Sequence, residues 1–552
     1  MANTILTLFD IDQYREHYRT GFWRDETVYA LVKAHAERTP NRTAIRSRDR
    51  DLTYRDLVVL VDAFASDLAA RGVLAGERIA VWLPTRIETI VALLACSRKG
   101  YVCCPSLHRD HTVGEIITLL KRMRAVALVA ETGYGADSDN NDLFAQLSGV
   151  ETLQHVYRLE RTAAGRTPGI VPPQTDALRS TTSENANRVL YLAFTSGTTG
   201  LPKGVMHSDN TLLANARALA GDWSINDQSV IYSLSPLSHN LGFGAMIMAL
   251  AVGGQLVIHD LPRGASLVDR LVETGATFLV GVPTHAIDLL AEVKARNLSG
   301  LGKLKGFRIS GASAPPELVA ELLRFGIVPQ SGYGMTETCS HQYTLPNDDP
   351  KMIVESSGRS CPGYEIRIFD REDPNHELPA REIGQIAGRG ASLMLGYFDD
   401  QKATEESFNR DGWFLTGDLG WVDENGYLRI TGRKKDVIIR GGHNIFPAKI
   451  EALAATHAAV QRVAVVPVPD PRLGERVCLV VMFRPDKTAS VEEILAHLDQ
   501  AGLSKYDMPE FFLKVDEIPL TASGKMRKRD VVGWIADGNV KPQPIRFQAK
   551  AG

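Results

Sequence analysis

The sequence predicts an α/β protein in two parts. A large, multi-layer N-terminal domain of helix-covered, mostly parallel sheets is expected over residues 1–434, and a small, mobile α+β domain over 435–552. Three observations predict this. Short apolar runs alternate with helical patterns through the first 130 residues and again over 229–310, as strands joined by crossover helices do. Segments rich in Gly, Ser and Thr fall at the ends of those strands, where open parallel sheets hold ligands. Past Trp421 the alternation stops, and a charged, Gly-led connector over 432–436 marks a domain boundary.

In chain order, residues 43–47 and 52–54 read as short strands around a charged turn, and 55–71 as a helix with Gly72 at its C-terminal cap. Residues 78–83 and 125–130 read as buried strands with a helix over 87–99 between them. Residues 163–187, rich in Pro, Ser, Thr and Gly, form a surface loop. A buried strand over 189–194 then leads into a Gly- and hydroxyl-rich loop, and a helical pattern over 212–219 follows. That loop is therefore expected to hang between a strand and a helix. Further strands are expected at 229–234, 255–259, 277–282 and 307–310. Residues 241–258 carry no charge and approach the length of a membrane span, but Gly253-Gly254 and Gln255 interrupt them. A buried helix over 242–252, a turn and a strand fit better. A turn at 423–426 and a strand at 427–431 lead through the connector into the last domain. That domain shows helices at 447–457, 491–501 and 526–534 and strands at 463–468, 477–483 and 511–515.

Composition narrows the function. With 62 basic and 65 acidic residues the formal net charge is −3, so no field for nucleic acid or an anionic membrane is present. The six cysteines have neither metal-ligand spacing nor a disulfide framework, which fits a reducing, cytoplasmic setting. Residues 1–23 include Asp10, Asp12, Arg15, Glu16 and Arg19 and are no signal peptide.

The chemistry concentrates in five segments. Thr195-Ser196-Gly197-Thr198-Thr199-Gly200-Leu201-Pro202-Lys203-Gly204 combines glycines that let the backbone approach an anion, hydroxyl donors and one ammonium. This is a polyphosphate cradle, although Pro202 and Gly204 around Lys203 break the Walker A pattern. In Ser331-Gly332-Tyr333-Gly334-Met335-Thr336-Glu337-Thr338, Tyr333 offers a face for a base and Glu337 a carboxylate suited to Mg²⁺. Gly311-Ala312-Ser313-Ala314-Pro315 follows a strand. Asp418, in Thr416-Gly417-Asp418, and Arg433 can hydrogen-bond ribose hydroxyls together. Lys525 ends Pro519-Leu520-Thr521-Ala522-Ser523-Gly524-Lys525.

Across these segments the chain resembles the adenylate-forming superfamily of acyl-CoA synthetases, carrier-loading adenylation domains and luciferases. The segments Gly21-Phe22-Trp23-Arg24-Asp25-Glu26-Thr27 and Pro236-Leu237-Ser238-His239-Asn240 resemble cyclohexanecarboxylate–CoA ligases and aryl-acid-activating enzymes. The resemblance implies an acid–thiol ligase in which a carboxylic acid attacks MgATP to give acyl-AMP and pyrophosphate, after which CoA takes the acyl group. Lys525, Glu337 and Thr336 are then catalytic, with Glu337 on Mg²⁺. Thr195, Ser196, Gly197, Thr198, Thr199, Lys203, Gly311, Ala312, Ser313, Tyr333, Thr336, Asp418, Arg433 and Lys525 hold the nucleotide. The acid is lined by His239, Asn240, Phe243 and Val282, with Gly332, Gly334 and Cys339 at its floor. That set holds no Arg or Lys and has Ala245 where dihydroxybenzoate relatives carry a serine, which leans toward an alicyclic, aryl or medium-chain acid. Gly441, Gly442 and His443 flank the thiol's path, and Lys435 is the hinge. The implied partners are the acid, ATP and CoA, an acetyltransferase acting on Lys525 and a second copy in a homodimer, with no nucleic acid and no membrane insertion. The alternative is a stand-alone adenylating enzyme that loads a carrier protein, which shares every nucleotide motif.

Overall fold

The strands Arg78–Trp82 and Ala125–Glu131 are buried along their whole length, as continuous apolar runs require of strands covered on both faces. The protein is seen in a computed structural model that describes residues 5–8, 10–162, 165–166, 185–195, 202–262, 264–311, 314–520 and 526–547. It divides into two compact units. The first comprises Met1–Ile366, Gly388–Phe414 and Gly426–Leu428; the second comprises Arg367–Ala387, Leu415–Asn425 and Arg429–Gly552.

Two large sheets build the first unit. One runs in the order Arg359–Ser360, Cys339–Tyr343, Val328–Met335, Gly306–Ser310, Phe278–Gly281, Val230–Ser233, Gln255–Ile258, Thr43–Arg46 and Asp51–Thr53. Its interior pairs are parallel and its outer pairs antiparallel. The other runs Lys203–Ser208, Val189–Thr195, Val102–Cys104, Arg78–Trp82, Ala125–Glu131 and His155–Leu159, parallel except for its first pair. This is the helix-covered, mostly parallel architecture expected from the alternating pattern.

Local chemistry sets the helix ends. Helix Tyr54–Ala70 opens on a reciprocal capping box between Thr53 and Asp56. Helix Ile87–Lys99 spans the expected residues and stops at Gly100, whose φ of +73° suits glycine. The uncharged stretch resolves into helix Asn240–Val252, a left-handed Gly253 and strand Gln255–Ile258. Among the described residues no helix is long and apolar enough to cross a membrane.

One expectation is overturned. The Gly- and hydroxyl-rich segment does not link a strand to a helix. Residues Lys203–Ser208 form a strand of their own, antiparallel to Val189–Thr195, with Lys203 opposite Thr195 and Gly204 opposite Phe194. The strands on either side of the segment are therefore paired with each other, and helix Asp209–Asp222 begins only after the second. The six-residue strand has Val205, Met206 and His207 fully buried, and its identity comes from that packing rather than from periodicity.

In the second unit, strand Gly474–Phe483 pairs with Val460–Asp470 and with Phe511–Lys514. Helices Pro447–Ala455 and Val491–Gln500 pack on one face through Ile450, Ile494 and Leu498. Helix Lys528–Ala536 packs on the other through Val531 against Ala464 and Val480.

Candidate functional site

Strand Val328–Met335 turns back as Cys339–Tyr343, with Tyr333 opposite Gln342 and Met335 opposite Cys339. Thr336, Glu337 and Thr338 form the tip. A Cβ on Gly334 would fall 2.0 Å from the Cys339 carbonyl oxygen, so this hairpin closes only with glycine there. Cys339 itself sits at φ +56°, a conformation rare for a side-chain-bearing residue. The backbone thus spends its special geometry on presenting the tip.

The tip is anchored from below. His207 lies fully buried, and burial pushes its imidazole down to about 4, so the ring is neutral. Its Nε2 donates to the Thr336 carbonyl at 2.7 Å while Nδ1 accepts from Thr211 Oγ1 at 3.0 Å. Asn240 Nδ2 donates to the neighbouring Met335 carbonyl at 3.3 Å.

Glu337 is buried, and its Oε1 accepts the Tyr397 hydroxyl at 3.0 Å. The Lys203 ammonium lies 4.6 Å from the centre of the same tyrosine ring. Burial, and then the Glu337 carboxylate, hold the Tyr397 phenol in its protonated form. Tyr397 reaches this position because Phe398 N donates to the Gly204 carbonyl at 2.7 Å and Leu395 N to the Met206 carbonyl at 2.8 Å. One tyrosine therefore joins the ammonium of the first motif to the carboxylate of the second. Sequence reasoning missed it, since Tyr397 belongs to no motif.

Thr195 Oγ1 lies 3.4 Å from the Lys203 carbonyl on the paired strand. Ser196, Gly197, Thr198 and Thr199 lie outside the described residues, as do Ala312, Ser313 and Lys525. Gly311 ends strand Gly306–Ser310 at φ +95°, facing Val282. The Tyr333 ring meets the His341 ring edge-on at 5.2 Å.

The residues assigned to the acid come partly together. His239 caps helix Asn240–Val252, with Nδ1 3.4 Å from Leu241 N. Phe243 stacks on Tyr191 at 4.0 Å, and both share one buried cluster with Cys339, against which Val282 packs. That set holds no arginine, but one lies beside it. A Cβ on Gly332 would lie 3.0 Å from Nη2 of Arg308, a buried residue three positions before Gly311. Arg308 went unnoticed because its strand neighbours are apolar and no motif includes it.

In the second unit Asp418 Oδ1 and Arg433 Nε lie 3.1 Å apart on neighbouring strands. Lys435 lies in the short helical turn Lys434–Asp436, where burial and the Arg433 charge hold its amine below the ordinary lysine value. Gly441 and Gly442 have φ of +58° and +87°, and a Cβ on Gly442 would meet nothing within 4 Å. Backbone conformation, rather than crowding within this unit, accounts for glycine at 442. His443 Nε2 lies 2.9 Å from Asp507 Oδ1.

Among the described residues no group of three or more His, Cys, Asp or Glu side chains could hold a metal ion. Glu337 is a single hard oxygen ligand. That suits Mg²⁺, which takes one or two carboxylates and completes its shell with phosphate oxygens and water.

Residues 32–398 match the AMP-binding enzyme family and residues 449–525 match the AMP-binding enzyme C-terminal domain. The chain is 30% identical over 535 residues to the medium-chain fatty-acid–CoA ligase of Escherichia coli (strain K12), covering 96% of this chain and 94% of that one. It is 31% identical over 549 residues to a salicylyl-CoA synthase / salicylate adenylyltransferase of Streptomyces sp, covering 95% and 97%. The crystal structure of ATP-bound MatB from Rhodopseudomonas palustris superposes with a TM-score of 0.79 at 28% identity, over 93% of this chain and 100% of that chain. The chain belongs to the AMP-binding enzyme family.

Proposed function

We propose that the protein is an ATP-dependent acid–CoA ligase working in two half-reactions. The observation that carries this reading is the cluster of Lys203, Tyr397 and Glu337, which sets an ammonium and a buried carboxylate on either side of one phenol. Such a cluster is built to receive polyphosphate. The ammonium binds phosphate oxygens directly, and Mg²⁺ held by Glu337 neutralises phosphate charge when bound.

In the first half-reaction a carboxylate oxygen of the acid bonds to the α-phosphorus of ATP, and the bond to the bridging oxygen of pyrophosphate breaks. The protein supplies position and fixed charge rather than a nucleophile. Lys203 and the hydroxyls of 195–199 hold the leaving phosphates, and Lys525 bridges the incoming carboxylate and the α-phosphate. Tyr333 and the 311–313 loop hold the adenine, while Asp418 and Arg433 hold the ribose. In the second half-reaction the CoA thiolate attacks the acyl carbonyl and AMP leaves. The thiol approaches past Gly441, Gly442 and His443 once the domain over 435–552 has turned about Lys435.

The curated relatives act on medium-chain fatty acids and on salicylate, by their names. This supports a medium-length or ring acid, with cyclohexanecarboxylate the first to try. The test is pyrophosphate release across a panel of carboxylic acids, with and without CoA. Acid-dependent release, with thioester formed only when CoA is added, is expected. No release with any acid would overturn the reading, and transfer to a carrier protein but not to CoA would replace the acceptor.

A further inference from the structure

Arg308 occupies a strand whose alternate residues Phe307 and Ile309 pack into the apolar cluster beneath helices Pro283–Ala295 and Pro316–Arg324. Arg308 therefore lies on the opposite face, beside Val280 on one neighbouring strand and Gln330 on the other. This is the face against which Phe243 and Cys339 pack.

Arg308 is 3% exposed. Its Nη1 donates to Gln330 Oε1 at 2.5 Å, and its carbon lies 5.8 Å from the Tyr343 ring centre. Among the described residues Nη2 has no hydrogen-bond partner, and neither does Nε2 of the fully buried Gln330. No carboxylate pairs with Arg308 among the described residues: Asp222 accepts from the Tyr343 hydroxyl at 2.9 Å instead. His341, two residues before Tyr343 on the same strand, is held neutral by burial. An arginine stays charged, and a buried charge without a counter-charge is costly. Two unpaired donors beside it make the deficit larger and give it a shape, since neighbouring N–H groups suit the two oxygens of a carboxylate.

The position of the deficit says what would fill it. A Cβ on Gly332 would fall 3.0 Å from Nη2, so glycine at 332 makes room for the guanidinium itself. Gly332 is three residues before Met335 in the same extended strand. At a rise of about 3.3 Å per residue, the guanidinium lies about 10 Å along the strand from the catalytic tip.

We propose that the acid carries a second carboxylate at its far end, which pairs with Arg308 and Gln330, so that the enzyme activates one end of a dicarboxylic acid of about eight carbons. The proposal rests on the acid–CoA ligase reading. Arg308 and Gln330 act as specificity residues, and the apolar walls at Phe243 and Val282 fit the methylenes or ring between the two carboxylates. The product is a thioester with a free distal carboxylate.

The test compares kcat/KM in pyrophosphate release for suberate against octanoate, and for trans-cyclohexane-1,4-dicarboxylate against cyclohexanecarboxylate. The diacid is expected to lead by ~10-fold or more in at least one pair, as a charge-assisted pair in a buried site allows. Arg308→Gln should erase that lead. The suberate monoamide, which keeps hydrogen bonding but loses the charge, should behave as octanoate does. Because a buried substitution can unfold the chain, the comparison in the unaltered enzyme decides the question by itself. Octanoate outpacing suberate, with the ring pair agreeing, would overturn the proposal and leave the ligase reading intact. Suberate raising Tm more than octanoate does, with no pyrophosphate from any acid, would support the anion site and overturn the ligase reading.

Discussion

Tyr397 donates its hydroxyl to Glu337 at 3.0 Å across sixty residues of sequence. The same ring faces the Lys203 ammonium. One side chain therefore touches both the cation and the carboxylate.

Removing the carboxylate should slow the first half-reaction strongly. Glu337→Gln is expected to cut acid-dependent pyrophosphate release by ~10²-fold, since fixed charge at developing phosphate charge is commonly worth ~3 kcal/mol. Tyr397→Phe keeps the ring over Lys203 and loses only the hydrogen bond, so a ~10-fold loss is expected, with more Mg²⁺ needed for half-maximal rate. In the double variant the Tyr397→Phe effect should shrink, because the two changes remove one shared interaction. A normal Mg²⁺ titration in Tyr397→Phe would sink the link.

The two half-reactions should separate by mutation. Lys525→Ala should lose acyl-AMP formation yet still convert supplied acyl-adenylate and CoA to thioester. Gly442→Leu should do the reverse, and its φ of +87° adds strain to any blockage of the thiol's path. Lys435→Pro should stall turnover between the steps, because proline fixes the backbone at the turn. Acetylation of Lys525 removes its charge and should reproduce Lys525→Ala. Equal loss in both assays for Lys525→Ala would show that Lys525 is not a first-step residue.

A pH dependence follows from Asp209. Its Oδ1 accepts from Val28 N at 2.8 Å and from Ser97 Oγ at 2.7 Å, and burial raises its carboxyl to about 7. The unfolded value is about 3.9. Between about pH 4 and pH 7 the folded state therefore holds more protons than the unfolded state, and stability falls as pH rises through that window. Asp209→Asn preserves an oxygen acceptor for both donors without the charge. The variant should gain stability on wild type across the window, by about 1.4 kcal/mol per pH unit at most. Buried, neutral His207 and His341 add a slope of the opposite sign to both proteins, so the difference isolates Asp209. Urea midpoints that track each other from pH 4 to 7 would refute the assignment.

The sequence by itself determined the fold class and the motif chemistry. Alternating apolar runs at 78–83, 125–130 and 277–282 marked buried strands, because a strand covered on both faces must be apolar throughout. Gly72 and Gly253, both at positive φ, marked helix ends, because capping is satisfied within a few residues. The glycine and hydroxyl content of 195–204 and the carboxylate at 337 were legible for the same reason: the groups lie next to one another in the chain. Tertiary structure decided the rest. Lys203–Ser208 became a strand because Val189–Thr195 and the segment ending in Phe398 hydrogen-bond it from both sides. Tyr397 met Glu337, and Arg308 came to lie over Gly332, through contacts between residues far apart in sequence. Such contacts leave no local periodicity, since what brings the two side chains together is the burial and hydrogen bonding of the strands that carry them.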